Sequence, residues 1–232
     1  MNTEYLKNGT GVFTSDKIRF TQDSAILADF ASVTPHARLL ELGGGCGIIP
    51  LWLYDRGCLG ECVSVEISKS ACELFELSVC VNNIDSITVS NSDLRTFRDE
   101  RKFDIAVSNP PFFSTSCGGQ SPEDWRRGAR SEECCNFYEL CAAARRNLKE
   151  KGRFVFCHRP KRLAELCGTL RDFELEPKRI RFARSVGKSE PWLVLVEARY
   201  RGGVGLSVMP ELLSESEEMD AICAKGVSND GC

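Results

Sequence analysis

From Arg38 onward the chain alternates short apolar runs with segments of helical period, and this alternation restricts its fold more than any other feature. Arg38-Leu39-Leu40-Glu41-Leu42 reads as a strand ending in glycines, followed by the apolar Ile48-Ile49-Pro50-Leu51-Trp52-Leu53. Cys62–Ile67 reads as a second strand, and Ser68 is placed to cap a helix with Ala71, Leu74, Phe75 and Ser78 on one face. Ile87-Thr88-Val89 opens a third strand and Phe103–Val107 a fourth. A helix from about Phe137 to Leu148 stops at Lys151-Gly152, and Arg153–Cys157 follows as a fifth strand. A helix near Leu163–Leu170 and two strands, Arg179–Phe182 and Trp192–Glu197, close the series. Strands and helices joined in this way predict an α/β fold. Its sheet is doubly wound, mostly parallel and seven-stranded, with helices on both faces and an antiparallel hairpin at one edge.

At 232 residues the chain accommodates one such domain, expected over residues 20–200. Residues 1–19 read as an N-terminal extension. Residues 201–232, Gly-rich and then acidic, read as a C-terminal tail with poor order in part. Nothing at the start resembles a signal peptide and no apolar run is long enough to span a membrane, so a cytoplasmic location is expected. Thirteen cysteines, an odd number with no Cys-x-x-Cys, predict free thiols in a reducing compartment, with Cys72, Cys80, Cys141 and Cys157 serving as small core residues. With only His36 and His158 available besides, no metal is expected. The net charge of −3 disfavours a dedicated nucleic-acid binder, but it is unevenly spread. Residues 126–188 hold 17 Lys/Arg against 8 Asp/Glu, a local excess suited to RNA phosphates, and Arg126, Arg127, Arg130, Arg159 and Lys161 are the candidate contacts.

Four motifs fall at the carboxyl ends of the first four strands, where open α/β sheets bind ligands. The first is Glu41-Leu42-Gly43-Gly44-Gly45-Cys46-Gly47, in which Gly43, Gly45 and Gly47 let the backbone approach a ligand. Its Gly-x-Gly-x-Gly spacing differs from the dinucleotide pattern, and the acid at Glu41 suits a cationic ligand better than a pyrophosphate. Glu66, 19 residues after Gly47, is placed to accept from a ribose diol, and Asp93 in Ser92-Asp93-Leu94 to accept an adenine amine. The fourth is Asn109-Pro110-Pro111-Phe112. Two prolines make this loop rigid, its amide and carbonyls can accept from an NH2 group, and Phe112 offers a flat face for stacking a base. A conjugated amine is a poor nucleophile. Acceptors that hold its N–H bonds while a methyl group arrives favour rehybridisation and stabilise the developing positive charge. Asn109, Pro110 (through its carbonyl) and Phe112 are therefore the candidate catalytic residues. His158 reads as a structural histidine, since the methylated ammonium can lose its proton to water.

The Asn-Pro-Pro-aromatic loop resembles that of class I S-adenosylmethionine-dependent methyltransferases acting on amino groups of planar systems. More specifically, the chain is similar to the bacterial valine-tRNA adenine-N6 methyltransferases. Phe20-Thr21-Gln22-Asp23-Ser24-Ala25-Ile26-Leu27-Ala28-Asp29-Phe30 resembles the family segment that packs over the methionine end of the cofactor. Gly128-Ala129-Arg130-Ser131-Glu132, His158-Arg159-Pro160-Lys161-Arg162-Leu163 and Glu176-Pro177-Lys178-Arg179-Ile180-Arg181 resemble its downstream segments. Glu41 stands where many relatives carry Asp, Ser131 where His is usual, and Phe112 where Tyr is commoner. The resemblance implies a Rossmann-like fold with S-adenosyl-L-methionine as cofactor, held by Gln22, Asp23, Glu41, Gly43, Gly45, Gly47, Glu66, Asp93 and Asn109. It also implies tRNA as the substrate and adenine N6 at position 37 of the anticodon loop as the methylated atom. Methylation of a release-factor glutamine or of guanine N2 in ribosomal RNA stays open from the residues alone, as does a catalytically inert RNA-binding protein on the same fold.

Overall fold

The computed structural model describes residues 1–110 and 135–224. The chain opens with a hairpin, β1 (Asn2–Tyr5) and β2 (Gly11–Thr14), followed by helix α1 (Gln22–Ala31). Strand β3 (Leu39–Leu42), helix α2 (Ile48–Asp55), strand β4 (Cys62–Glu66), helix α3 (Lys69–Val81) and strand β5 (Ile87–Asn91) form the first half of the sheet. Strand β6 (Phe103–Ser108), helix α4 (Phe137–Asn147), strand β7 (Leu148–His158), helix α5 (Leu163–Asp172) and the antiparallel pair β8 (Leu175–Arg184) and β9 (Leu193–Tyr200) form the second. Two short strands, β10 (Ser207–Val208) and β11 (Leu212–Leu213), and helix α6 (Glu217–Cys223) complete it.

The strand order is β10-β8-β9-β7-β6-β3-β4-β5, with β11 also pairing β8. The doubly wound α/β fold is as expected, and the two short strands raise the sheet from seven strands to nine. Pairing is parallel from β7 through β6, β3 and β4 to β5, and β9 is inserted antiparallel between β7 and β8. The winding reverses between β3 and β6. Their carboxyl ends diverge into separate crossovers, and such a switch point is where an open sheet admits a ligand.

Side-chain alternation along the strands builds two cores. Leu39, Val107, Val155 and Cys157 face one side, under α1 and α2. Leu40, Ala106, Phe154 and Phe156 face the other, under α4 and α5. Where β3 starts, buried Arg38 donates to Glu61 (2.7 Å) and Asp99 (2.8 Å) while lying 4.1 Å from the Phe103 ring, which ties β3, β6 and the chain before β4 together.

Both ends of the chain carry structure of their own. Residues 1–19 include a hairpin docked on α3. Phe13 N donates to Ser78 Oγ (2.9 Å), Gly11 N to Asn82 Oδ1 (2.9 Å), and the Asp55 carboxylate takes the turn amides of Asn8 and Thr10. The tail beyond Gly202 is built into the fold as far as residue 224. Met219 and Ile222 are buried in the α1–α2 core, Trp52 Nε1 donates to Ile222 O (3.1 Å), and Arg181 forms an ion pair with Glu218 (2.7 Å). Its anchoring apolar residues, among them Leu212, Met219 and Ile222, are too scattered to show as a sequence pattern. Cys72, Cys141 and Cys157 are buried as expected, but Cys80 is exposed on α3.

Candidate active site

The Gly-rich loop leaves β3 with Gly43, Gly45 and Gly47 all in the left-handed region (φ 77°, 55° and 80°). Two of its glycines are dictated by packing as well. A Cβ on Gly44 would stand 2.0 Å from Ser64 Oγ, and one on Gly47 would stand 2.2 Å from the Phe75 ring. The loop thus lies flat on β4 and α3, with its other side open to a cleft of about 120 Å³ lined by Arg19, Phe20, Ser24, Glu41, Gly43, Gly44, Gly45 and Asn109, while Gly47 and Glu66 stand outside the lining.

Glu41 is buried at the base of this cleft and accepts a short hydrogen bond (2.5 Å) from Ser64 Oγ. Burial pushes its carboxyl up to about 8, and the nearby Glu66 charge pushes the same way against the Ser64 bond. At neutral pH the protonated form is therefore favoured. Glu66, at the end of β4, accepts Gly45 N (2.9 Å) on one oxygen and Ser68 N (2.7 Å) on the other. Each oxygen keeps a lone pair for a further donor. Ser68 caps α3 as the sequence predicts.

Asn109 emerges from β6 beside the loop, because β6 pairs β3 in register (Glu41 opposite Val107) and Ser108 Oγ donates to Leu42 O (2.7 Å). Its side chain is held at both ends. Nδ2 donates to Ser24 Oγ on α1 (2.7 Å), and Oδ1 accepts the Cys157 thiol from the end of β7 (3.0 Å). Burial keeps Cys157 well above its ordinary pKa, so it stays a donor. Pro110 is buried behind it.

Not every predicted residue joins the cleft. Gln22 and Asp23 are the first residues of α1, where neither caps the helix. Asp23 Oδ1 instead accepts Trp192 Nε1 (3.1 Å). Asp93 lies past the end of β5 with its carboxylate engaged by Arg95 (2.7 Å), which holds it below its usual range. His158 is buried with Nδ1 accepting Arg159 N (2.8 Å), and burial, aided by the Arg162 cation, draws it down to about 4. Arg159 donates to Trp192 O (3.2 Å), and Lys161 is exposed in the turn before α5. Phe112, Arg126, Arg127 and Arg130 lie outside the described residues. Sequence reasoning missed Ser24, Ser64 and Cys157 as site residues: Ser24 lies in the Phe20–Phe30 segment but is not singled out there, and Ser64 and Cys157 belong to no motif. Each is brought in by a partner at least 23 positions away.

The sequence pattern of the methyltransferase small domain family matches residues 4–121, just over half of the chain. The chain belongs to that family. Its match begins within β1, so most of the N-terminal hairpin falls inside the family's pattern. This methyltransferase small domain protein is 30% identical over 135 residues to a Dyadobacter fermentans protein named tRNA1(Val) (adenine(37)-N6)-methyltransferase, covering 57% of this chain and 55% of that one. A Porphyromonas gingivalis protein of the same name is 28% identical over 192 residues, covering 78% and 74%. The first of these alignments spans little more than half the relative's length. Among solved structures, a predicted O-methyltransferase from Agrobacterium tumefaciens superposes with a TM-score of 0.63 at 16% identity, covering 86% of this chain and 94% of that one. A tRNA m1G37 methyltransferase from M. jannaschii superposes at 0.61 and 13% identity, covering 85% and 56%. These neighbours share the class I methyltransferase fold. Family membership implies S-adenosylmethionine as the cofactor, and the cleft suits it. A positive-φ glycine cradle, a buried carboxyl for a cation and a strand-end carboxylate with free lone pairs match its sulfonium, ammonium and ribose. Among the described residues no group of acidic, His or Cys side chains could hold a metal, and no helix is long and apolar enough to cross a membrane.

Proposed function

We propose that this chain transfers a methyl group from S-adenosylmethionine to an exocyclic amine, with adenine N6 at position 37 of a valine tRNA as the substrate. The observation that carries this reading is the placement of Asn109 at the switch point, against the glycine cradle and clamped by Ser24 and Cys157. The name shared by the tRNA1(Val) relatives supports the choice of substrate.

The cofactor supplies the electrophilic methyl group, and the chain does the rest. Glu41 and the loop glycines bind the methionine end and Glu66 the ribose; Asp93 takes the adenine by giving up its pair with Arg95, and Gln22 and Asp23 act from the first turn of α1. Asn109 Oδ1 and the Pro110 carbonyl accept the two N–H bonds of the target amine, turning its lone pair toward the methyl. Phe112 stacks on the base. This is catalysis by orientation and preorganised dipoles, with no metal and no covalent enzyme intermediate. His158, neutral and buried, is not the base, and the methylated amine releases its proton to water. Arg126, Arg127, Arg130, Arg159 and Lys161 contact RNA phosphates. An anticodon-loop base suits such a small domain because it is already unpaired and costs little to turn into a pocket.

Incubating the protein with unmodified tRNAs and methyl-labelled cofactor, then digesting to nucleosides, tests the reading. The expected product is N6-methyladenosine from a valine tRNA. N2-methylguanosine, or label only in a release-factor glutamine, would replace the substrate and leave the reaction class. No label, with no cofactor binding, would remove both.

A further inference from the structure

At the end of the sheet where the parallel strands begin, away from the Gly-rich loop, a cavity of about 500 Å³ is lined by Arg98, Lys102, Arg145 and Arg146 together with Phe173 and Tyr200. The volume lies within the range of small-molecule sites. Four cations line it and no carboxylate does.

Three of the cations have structural work at the carboxyl end of α4, where the helix dipole favours positive charge. Lys102 Nζ donates to Arg146 O (2.7 Å), and Arg146 donates to Leu94 O (2.8 Å) and Phe97 O (3.1 Å). Their partners are carbonyls, which satisfy the N–H groups without cancelling the charge. Arg145 pairs with Glu174 (2.5 Å), but the same carboxylate also takes Arg201 (3.2 Å), so one acid serves two guanidinium groups. Arg98 is different. It is exposed and has no hydrogen bond or ion pair among the described residues, so neither the helix end nor local pairing explains why it points here. Burial lowers the affinity of Arg146 for its proton and the Arg98 charge lowers it further, a sign of unrelieved repulsion. Such a convergence of positive charge attracts an anion. The apolar wall is also in place. Phe173 meets Tyr138 edge-on at 4.4 Å, and the Tyr200 ring lies 5.6 Å from Arg145 and 5.3 Å from Arg201.

We propose that this cavity is a phosphate-binding site, separate from the methyl-transfer cleft, for the phosphodiester of a bound RNA or for a small phosphate compound. Guanidinium groups match phosphate oxygens in geometry and charge, and a ribose or base can lie on the Tyr200 and Phe173 wall. The six residues of β6 separate the cavity from Asn109 by roughly 20 Å at about 3.3 Å per residue, so its ligand does not touch the cofactor. The RNA source rests on the function proposed above, and the small-phosphate source does not.

The test compares the full chain with Arg98→Glu, a change that removes no hydrogen bond or ion pair among the described residues. Inorganic pyrophosphate and unmodified tRNA are titrated separately, with S-adenosylmethionine binding and the unfolding midpoint as controls. Arg98→Glu is expected to weaken one probe at least tenfold while both controls stay unchanged. Loss in the pyrophosphate arm alone assigns a small phosphate compound. Loss in the tRNA arm, with the salt dependence reduced by about one unit per cation removed, assigns RNA phosphates. Equal affinities of wild type and variant for both probes overturn the site. Failure of the function proposal appears instead as absent methyl transfer or absent cofactor binding in the unsubstituted protein.

Discussion

Replacing Glu41 by Gln should change how the stability of this protein depends on pH. The wild-type carboxyl is raised to about 8 from an ordinary 4.5, mainly by burial, so the folded state holds a proton that the unfolded chain releases. Stability from this group is complete below about pH 4.5 and is lost as pH rises to about 8, beyond which it is flat. Within that window each pH unit costs about 1.4 kcal/mol. Between pH 5.5 and 7.5 the wild type should therefore lose about 3 kcal/mol more than Glu41→Gln, whose amide oxygen can still accept from Ser64. Urea unfolding of both proteins at half-unit pH steps measures this directly, because the difference between them cancels all other titrating groups. The cofactor adds a second expectation. A cation in the cleft draws the proton off Glu41, so saturating S-adenosylmethionine should flatten the wild-type slope and release up to one proton at pH 7, seen as a buffer-dependent calorimetric heat. Parallel pH profiles for wild type and variant would refute the reasoning and mean that Glu41 is ionised in the empty cleft.

Asn109→Ala should leave cofactor binding near wild type while lowering single-turnover methyl transfer 100-fold or more, about 2.7 kcal/mol or above. Retained turnover would remove its amine-holding role. Ser24→Ala and Cys157→Val free one end each of the Asn109 amide and should lower turnover without changing cofactor affinity, with Ser24→Thr recovering part of the loss. Gly47→Ala places a Cβ 2.2 Å from Phe75 at φ 80° and should cost about 2–4 kcal/mol in urea unfolding, from backbone strain and overpacking together. Glu66→Ala removes the acceptor for Gly45 N and Ser68 N as well as the proposed ribose contact, so titration should show cofactor affinity at least tenfold weaker.

The sequence by itself determined the order and type of the central elements, because strand alternation, helix caps and glycine turns are local signals. Leu39 and Leu40 fall on opposite faces of β3 by pleat alone, and Gly43, Gly45 and Gly47 announce a loop that only positive φ can make. The place of Asn109 directly after a strand was legible for the same reason. Contacts across many intervening positions were not legible. Asn109 meets Ser24 and Cys157 only because β3 pairs β6 and β6 pairs β7, and the side of β3 on which β6 adds is a choice of topology. The protonation of Glu41 follows from its burial under a folded loop, which composition cannot report. The hairpin at one end and α6 at the other are held by scattered long-range contacts to residues such as Asp55, Ser78 and Trp52, too sparse to make a period. Arg98 and Lys102 meet Arg145 and Arg146 only when the start of β6 closes on the end of α4. Local periodicity sets which elements form, and long-range packing alone decides which side chains they bring to one place.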